Sequence, residues 1–443
     1  MIEKSINELI LYKNLSSDPV LKNAWLLFSK YVEGIDAERF GRKTVFSVSA
    51  ALWYDLQREM LAIVGHEEVQ ANYWQNYLCR IVGASDNIFS RLAEKGTYKP
   101  SSGAAAVASD PIADAVFELA AQELVVIREL YALDFELLAN ALEKGTGIKK
   151  GQENFAARKV VLAGSSRRQR IHEALTADTP LKSVKILAEY YYTHGAGVFE
   201  AYDSFLWEGH LMEVRSPDPI RMDDLIGYES QKKALIENAE RLLAGLPTSN
   251  VLLYGDSGTG KSSSVKALIN GYKDRGLKLI AIPKNRIGEL PDVIDLIADR
   301  GVKVIIFIDD LSFEESESSY KAFKSVLEGG VNARPQNAFI CVTSNRRNIV
   351  KEVWKDREGS DDVHLRDNLQ EKRSLSERFG ITLVYMSPQK DEYLEIVERL
   401  AQNAGIALDR ETLFEQALTW EIRHGGRSGR TARQFVDALI GQS

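Results

Sequence analysis

Eight consecutive residues, Gly255-Asp256-Ser257-Gly258-Thr259-Gly260-Lys261-Ser262, fit the spacing G-x-x-x-x-G-K-[ST] in full. They follow a short apolar run at 251–254 and open a helical pattern at 262–274, the context in which this spacing cradles phosphate. The glycines let the backbone curl so that successive N–H groups face one anion, and the helix N-terminus adds its partial positive charge. Lys261 is then placed to reach the β- and γ-phosphates of a nucleotide, and the Ser262 hydroxyl to ligate Mg²⁺. A second apolar run, 304–308, ends in Asp309-Asp310, at the end of a parallel strand where ligands gather. Asp309 would hold Mg²⁺, directly or through water, and Asp310 would orient and deprotonate an attacking water. A third run, 338–342, leads into Thr343-Ser344-Asn345-Arg346-Arg347. Asn345 is the polar residue expected to reach the γ-phosphate and its water, against the alternative of a strand-ending Asx turn. Arg378, in Ser374-Leu375-Ser376-Glu377-Arg378-Phe379-Gly380, can point away from its own nucleotide toward a neighbour's. Its permanent charge and forked donors suit phosphate oxygens, and a surface salt bridge is the alternative. Ser428-Gly429 reads as a helix start with Arg430 in the first turn. A base there opposes the helix dipole, a small cost that points to work elsewhere, such as a phosphate across a cleft. Arg433, one turn on, is the alternative.

These residues need elements to hold them. Residues 1 to about 213 read as helix almost throughout, with amphipathic patterns at 18–33, 46–64, 67–82, 111–144 and 180–207. The 111–144 pattern is interrupted by acids, so it is one amphipathic helix or a broken pair. A glycine-rich stretch at 145–151 follows a helix and lacks the full phosphate-loop spacing, and it reads as a linker. Arg167-Arg168-Gln169-Arg170 is a small basic patch, read first as a solvated helix start. Two prolines, Pro217 and Pro219, mark a boundary. Beyond them short Val- and Ile-rich runs at 251–254, 277–282, 304–308, 338–343 and 381–386 alternate with helical patterns at 262–274, 289–299 and 319–328. Such alternation implies a parallel sheet covered by helices. From 391 onward the strands stop and three helical stretches come after them. The expected domains are 1–213, helical and partner-binding; 214–388, the α/β core; and 389–443, a helical lid.

Composition narrows the function class. The 443 residues are 44% hydrophobic and 27% charged, which excludes a disordered chain. The net charge is −7 and both halves are acidic, which disfavours a nucleic-acid binder with a domain-wide positive field. Two cysteines, Cys79 and Cys341, stand far apart with no metal-ligand spacing. No apolar run approaches the roughly 18 residues of a membrane helix, and Glu3 follows the first methionine too closely for a signal peptide. A cytoplasmic protein without a membrane partner is the expectation.

Taken together, the phosphate loop, the strand ending in Asp309-Asp310, Asn345, Arg378 and the helical C-terminus resemble the AAA+ ATPases. Asp224-Leu225-Ile226-Gly227-Tyr228-Glu229 looks like that superfamily's adenine-side segment, which places Ile226 and Gly227 against the base. The resemblance covers roughly 216–443 and implies a five-stranded parallel P-loop (ASCE) sheet with a C-terminal lid, ATP and Mg²⁺ as cofactors, and a homo-oligomeric ring such as a hexamer. Asn345, Arg378 and Arg430 match the positions called sensor 1, arginine finger and sensor 2. Asp356-Arg357-Glu358-Gly359, Leu369-Gln370-Glu371-Lys372 and the 375–380 segment look more closely like a bacterial AAA+ family of unknown function. Many AAA+ members have Asp-Glu where this chain has Asp309-Asp310. The shorter side chain requires the water to sit closer or the strand to shift.

The leading reading is an oligomeric ATPase, binding ATP and ADP, whose helical N-terminal half grips a protein client. A nucleic-acid-associated loader draws on Arg346, Arg347, Lys372, Arg373 and the 167–170 patch, and a nucleotide-gated switch with negligible turnover is a third class. A small-molecule kinase fits the 391–443 lid less well. Residues 283–288 lack an aromatic-hydrophobic-Gly pattern, so polypeptide threading is not supported.

Overall fold

The computed structural model describes residues 7–31, 51–60, 71–96, 111–146, 159–160, 167–312, 318–327, 335–345 and 378–440. The chain divides into two units, Met1–Ala201 and Tyr202–Ser443. The division falls ahead of the expected 213/214 boundary, because residues 204–213 pair into the sheet of the second unit instead of ending the helical region.

In the first unit the 111–144 pattern is a broken pair, Pro111–Tyr131 and Phe135–Thr146. Asp134 restarts the chain as a helix by accepting hydrogen bonds from the backbone N–H groups of Glu136 and Leu137. The core centres on Trp74, which is fully buried; its Nε1 donates to the Leu130 carbonyl at 2.7 Å and its ring lies 4.8 Å from that of Phe135. A buried carboxylate, Glu123, accepts hydrogen bonds from the backbone N–H groups of Ile10, Leu11 and Tyr12 at 2.7 to 3.0 Å. The expected 180–207 helix stops at His194, where Gly195 turns with φ +82°. Among the described residues no helix is long and apolar enough to cross a membrane.

The second unit is built on one seven-stranded sheet. Its elements are β1 (Ser204–Trp207), β2 (Leu211–Glu213), α1 (Glu229–Leu243), β3 (Val251–Gly255), α2 (Lys261–Tyr272), β4 (Leu277–Ala281), α3 (Leu290–Ala298), β5 (Lys303–Ile308), α4 (Ser318–Leu327), β6 (Ala338–Ser344), β7 (Ile381–Tyr385), α5 (Lys390–Asn403), α6 (Arg410–Arg423) and α7 (Gly429–Ile440). The strand order is β2-β1-β4-β5-β6-β3-β7, parallel throughout except for β2. The expected five-stranded parallel sheet is present as β4-β5-β6-β3-β7. The unexpected addition is the β1–β2 hairpin on the β4 edge. Parallel strands are covered on both faces, so they read as continuous apolar runs; every residue of β6 is buried, as are five of the six in β5. The lid helices α5–α7 share their own core of Tyr393, Val397, Leu413, Ala417, Phe435 and Val436, against which Ile226 packs.

A charge hidden in the sheet anchors the added hairpin. Lys278, the second residue of the otherwise apolar β4, is fully buried, and its Nζ donates to Asp203 Oδ1 at 2.8 Å and to the Tyr202 carbonyl at 3.2 Å. Asp203 leads directly into β1, so the ion pair fixes where that strand joins. Removing the carboxylate takes the main countercharge from a fully buried ammonium, whereas replacing the lysine leaves Asp203, whose side chain is 19% exposed, within partial reach of water. Asp203→Ala is therefore expected to destabilise the second unit by about 3–5 kcal/mol, and Lys278→Met by clearly less. Urea unfolding followed through the sheet-containing unit checks the order of the two effects.

Candidate functional site

The phosphate loop begins where β3 meets β7. Gly255 has φ +140°, and a Cβ there would sit 1.9 Å from the Tyr385 carbonyl oxygen, so only glycine lets the two strands close. That same carbonyl accepts the Asp256 N–H at 2.9 Å. The loop closes on itself through Thr259 Oγ1, which donates to the Asp256 carbonyl at 2.8 Å, and α2 starts at Lys261. Two contacts tie the loop to the segments C-terminal to β7. The Asp256 carboxylate accepts from the Ser387 hydroxyl at 2.7 Å and the Ser387 N–H at 2.8 Å, which hold it below the usual carboxylate range. The Gly258 carbonyl accepts the Arg430 N–H, at the start of α7, at 3.2 Å.

Lys261 points back over the loop. Its Nζ donates to the carbonyls of Gly255 at 2.9 Å and Asp256 at 2.6 Å, and to Asn345 Oδ1 at 3.1 Å. Burial lowers its pKa, while Asp256, Asp310 and Asp309 pull the other way. Asn345 turns its other amide atom to the carboxylate pair, with Nδ2 donating to Asp310 Oδ1 at 2.8 Å. One side chain at the end of β6 thus joins the loop cation to the expected base.

Successive residues of a strand face opposite sides, so an extended Asp309-Asp310 would present only one carboxylate to the cleft. The chain leaves strand geometry here: Asp310 has φ +49°, the left-handed region, and both carboxylates line the cleft. Asp309 Oδ1 accepts from Ser262 Oγ and from Thr343 Oγ1, each at 2.5 Å. Thr343 Oγ1 in turn accepts the Asp310 N–H at 2.8 Å. Sequence reasoning does not single out Thr343, because its partners lie on a neighbouring strand far along the chain. Ser262 and Asp309 offer two hard oxygen donors already side by side, a set that suits Mg²⁺ shared with phosphate oxygens and water. Among the described residues no group of three or more His, Cys, Asp or Glu converges as a closed metal site.

The cleft above the loop has a volume of about 610 Å³ and takes in Ser257, Gly258, Thr259, Gly260, Lys261 and Ser262. Ile226 forms its wall on the core side, with Ile396 and Leu400 on the lid helix α5. Gly227, at φ +78°, turns the chain into Tyr228, whose ring stacks on Tyr385 at 4.8 Å and whose hydroxyl donates to the Met386 carbonyl. Burial pushes the Tyr228 phenol up to about 12. Arg430 and Arg433 both line the cleft, so either can serve as the lid arginine. Arg378 is exposed and is not among the residues lining its own chain's cleft, while its neighbour Phe379 is buried against Phe323. Of residues 283–288, Pro283 precedes and the rest lie in the 3₁₀ helix Lys284–Glu289, in which Arg286 binds Glu289, itself held by the Trp207 indole N–H. The 167–170 patch is partly neutralised, since Arg170 pairs with Glu173 and Glu189. Arg346, Arg347, Asp356–Gly359, 369–373 and 374–377 lie outside the described residues, as do 147–151.

A family described as a protein of unknown function (DUF815) matches residues 200–443. No match was found among the curated proteins. Among solved structures, the chain is similar to the Thermotoga maritima RuvB Holliday junction branch migration motor at 16% identity and a TM-score of 0.36, over 50% of this chain and 65% of that one. It is also similar to the FIGL-1 AAA domain in complex with ADP (20% identity, TM-score 0.35, 51% of this chain and 74% of that one). The replication initiator DnaA bound to AMPPCP and single-stranded DNA is a third (16% identity, TM-score 0.35, 50% and 64%). These neighbours are AAA+ P-loop ATPases. The chain spans less than two thirds of RuvB, and the chemistry of its site rests on its own geometry.

Two glycines of this region separate backbone necessity from convenience. Gly255→Ala drives a methyl into the Tyr385 carbonyl and is expected to destabilise the second unit by about 3 kcal/mol and to abolish nucleotide binding. Gly271→Ala, on an exposed turn of α2 with nothing within 4 Å, is expected to stabilise it by about 0.5–1 kcal/mol. Unfolding curves of both variants, with nucleotide binding measured alongside, test this contrast.

Proposed function

The chain belongs to DUF815, a family of proteins of unknown function, and from its site we propose that it binds Mg·ATP, hydrolyses it and couples turnover to a change of conformation. The observation that carries this reading is the Lys261–Asn345–Asp310 chain of hydrogen bonds in the cleft above a complete phosphate loop. The loop's N–H groups and Lys261 bind the β- and γ-phosphates. Ser262 and Asp309 hold Mg²⁺, which when bound supplies neutralising charge to the phosphate oxygens. Asn345 orients the attacking water beside Asp310. The water oxygen bonds to the γ-phosphorus, the bond from that phosphorus to the β–γ bridging oxygen breaks, and Asp310 takes the water's proton. The left-handed turn at Asp310 supports a base one methylene shorter than glutamate, because the backbone itself carries the carboxylate into the cleft.

The exposed Arg378 fits a residue that serves a neighbouring subunit, which makes the working form a homo-oligomeric ring. The helical first unit is then the part that grips a protein client, and residues 389–443 are the lid that responds to nucleotide. The acidic chain and the ion-paired Arg170 favour a protein over a nucleic acid as partner.

Lys261→Ala is expected to weaken ATP binding by about 2–5 kcal/mol, as for the loss of a buried charged contact, measured by calorimetry. Asp310→Asn is expected to keep ATP and to hydrolyse it about 10²–10⁴-fold more slowly. A wild-type chain that binds ATP but releases no phosphate in a single-turnover assay would replace the ATPase by a nucleotide-gated switch.

Arg378→Ala is expected to bind ATP normally and to lose about 10³–10⁵-fold in hydrolysis, the contribution of an arginine supplied in trans. Mixing it with Lys261→Ala pairs an intact Arg378 on one subunit with an intact loop on the next. Partial recovery of activity supports action in trans; none, with mixed oligomers shown by mass measurement, returns Arg378 to a surface role.

A further inference from the structure

Between the two carboxylates of the cleft stands a hydroxyl that neither the loop motif nor the carboxylate motif includes. Thr343, in β6, is 1% exposed. A hydroxyl has one proton to give and lone pairs to accept with, and Thr343 uses both at once, donating to Asp309 Oδ1 and accepting the Asp310 N–H. Its own carbonyl then accepts the next N–H along, that of Leu311, at 2.8 Å. One residue of β6 therefore takes two successive N–H groups as the chain leaves β5. A non-glycine residue held in the left-handed region persists only where its surroundings over-determine it, and these two bonds hold Asp310 there.

We propose that Thr343 is a positioning residue that sets the metal carboxylate and the base relative to each other. The proposal rests on the Mg·ATP reading above and assigns the alignment of its two acids to one hydroxyl. With the hydroxyl removed, Asp309 Oδ1 keeps only Ser262 of these two donors and is fixed from one side instead of two, while the Asp310 N–H loses its acceptor. Valine has the same shape and β-branch as threonine, so it removes the hydroxyl with little change in packing.

The test compares Thr343→Val and Thr343→Ser in the full chain, with three readouts. Calorimetry of ADP with and without Mg²⁺ needs no turnover. In Thr343→Val the metal-free ADP affinity is expected to stay within about twofold of wild type, while the gain from Mg²⁺ shrinks roughly tenfold, as for a lost hydrogen bond to a charged group. In hydrolysis kcat is expected to fall roughly ten- to a hundredfold with the KM for ATP nearly unchanged. Hydrogen exchange in the peptide spanning Asp310 and Leu311 is expected to quicken, while the melting temperature holds. Thr343→Ser, which restores the hydroxyl, is expected to recover all three. A valine variant with wild-type Mg²⁺ dependence and kcat overturns the proposal, and so does a stable serine variant that recovers neither. If the wild-type chain hydrolyses no ATP, the ATPase reading fails by itself, and the Mg²⁺ calorimetry and exchange data still decide the role of Thr343.

Discussion

Two carboxylates adjacent in sequence cannot both face one cleft from an extended strand, because side chains alternate between faces with every residue. Much of the second unit's cleft depends on how this chain meets that constraint. The strand β5 stops at Ile308, Asp310 enters the left-handed region, and the chain then rejoins β6 through Leu311. The turn needs acceptors for N–H groups that no longer have a strand ladder, and β6 supplies them because it is the parallel neighbour of β5 in register. Asn345, with its bridging amide, is the first residue past the end of that strand. The order β5-β6-β3 is thus a functional arrangement as much as a packing one, since it puts the acids, the bridging polar residues and the phosphate loop on adjacent strand ends.

Lys261 shows how such a loop holds its shape. An ammonium group removed from water needs all its donors satisfied. Here the loop's own Gly255 and Asp256 carbonyls and the Asn345 amide do so, with three carboxylates close enough to favour the charged form. The loop is therefore arranged around a cation from within, and in the proposed function a phosphate oxygen takes the place of one of the three acceptors that Lys261 now holds.

The features legible in the sequence are local ones. The loop motif, its glycines and its lysine are contiguous, and each core strand shows in the sequence within one residue of its observed bounds. The lid helix start at Ser428-Gly429 is legible too, because Ser428 Oγ caps the Thr431 N–H, a bond made within one turn. The features that stay hidden are non-local. Residues 204–207 read as helix because their apolar pattern continues the preceding one, and only pairing with β4 makes them a strand. Lys278 gives no sign of being buried, since its partner Asp203 is remote in sequence. Thr343 reads as nothing more than part of a strand end, because its role exists only when two strands lie side by side. Spacing does not tell Arg430 from Arg433, and both do line the cleft.

The loop's two ties to the lid have a mechanical consequence. The Gly258 carbonyl is bound to the first turn of α7, and Asp256 to Ser387, just ahead of α5. The lid is thereby geared to the phosphate loop at two separate points, and its start cannot rotate without dragging the loop's backbone. The 12 residues of α7 span about 18 Å, so a tilt of about ten degrees at its first turn moves its far end by about 3 Å. A displacement too small to break the hydrogen bond between Gly258 and Arg430 becomes, at the other end of that lever, one about as long as a hydrogen bond itself.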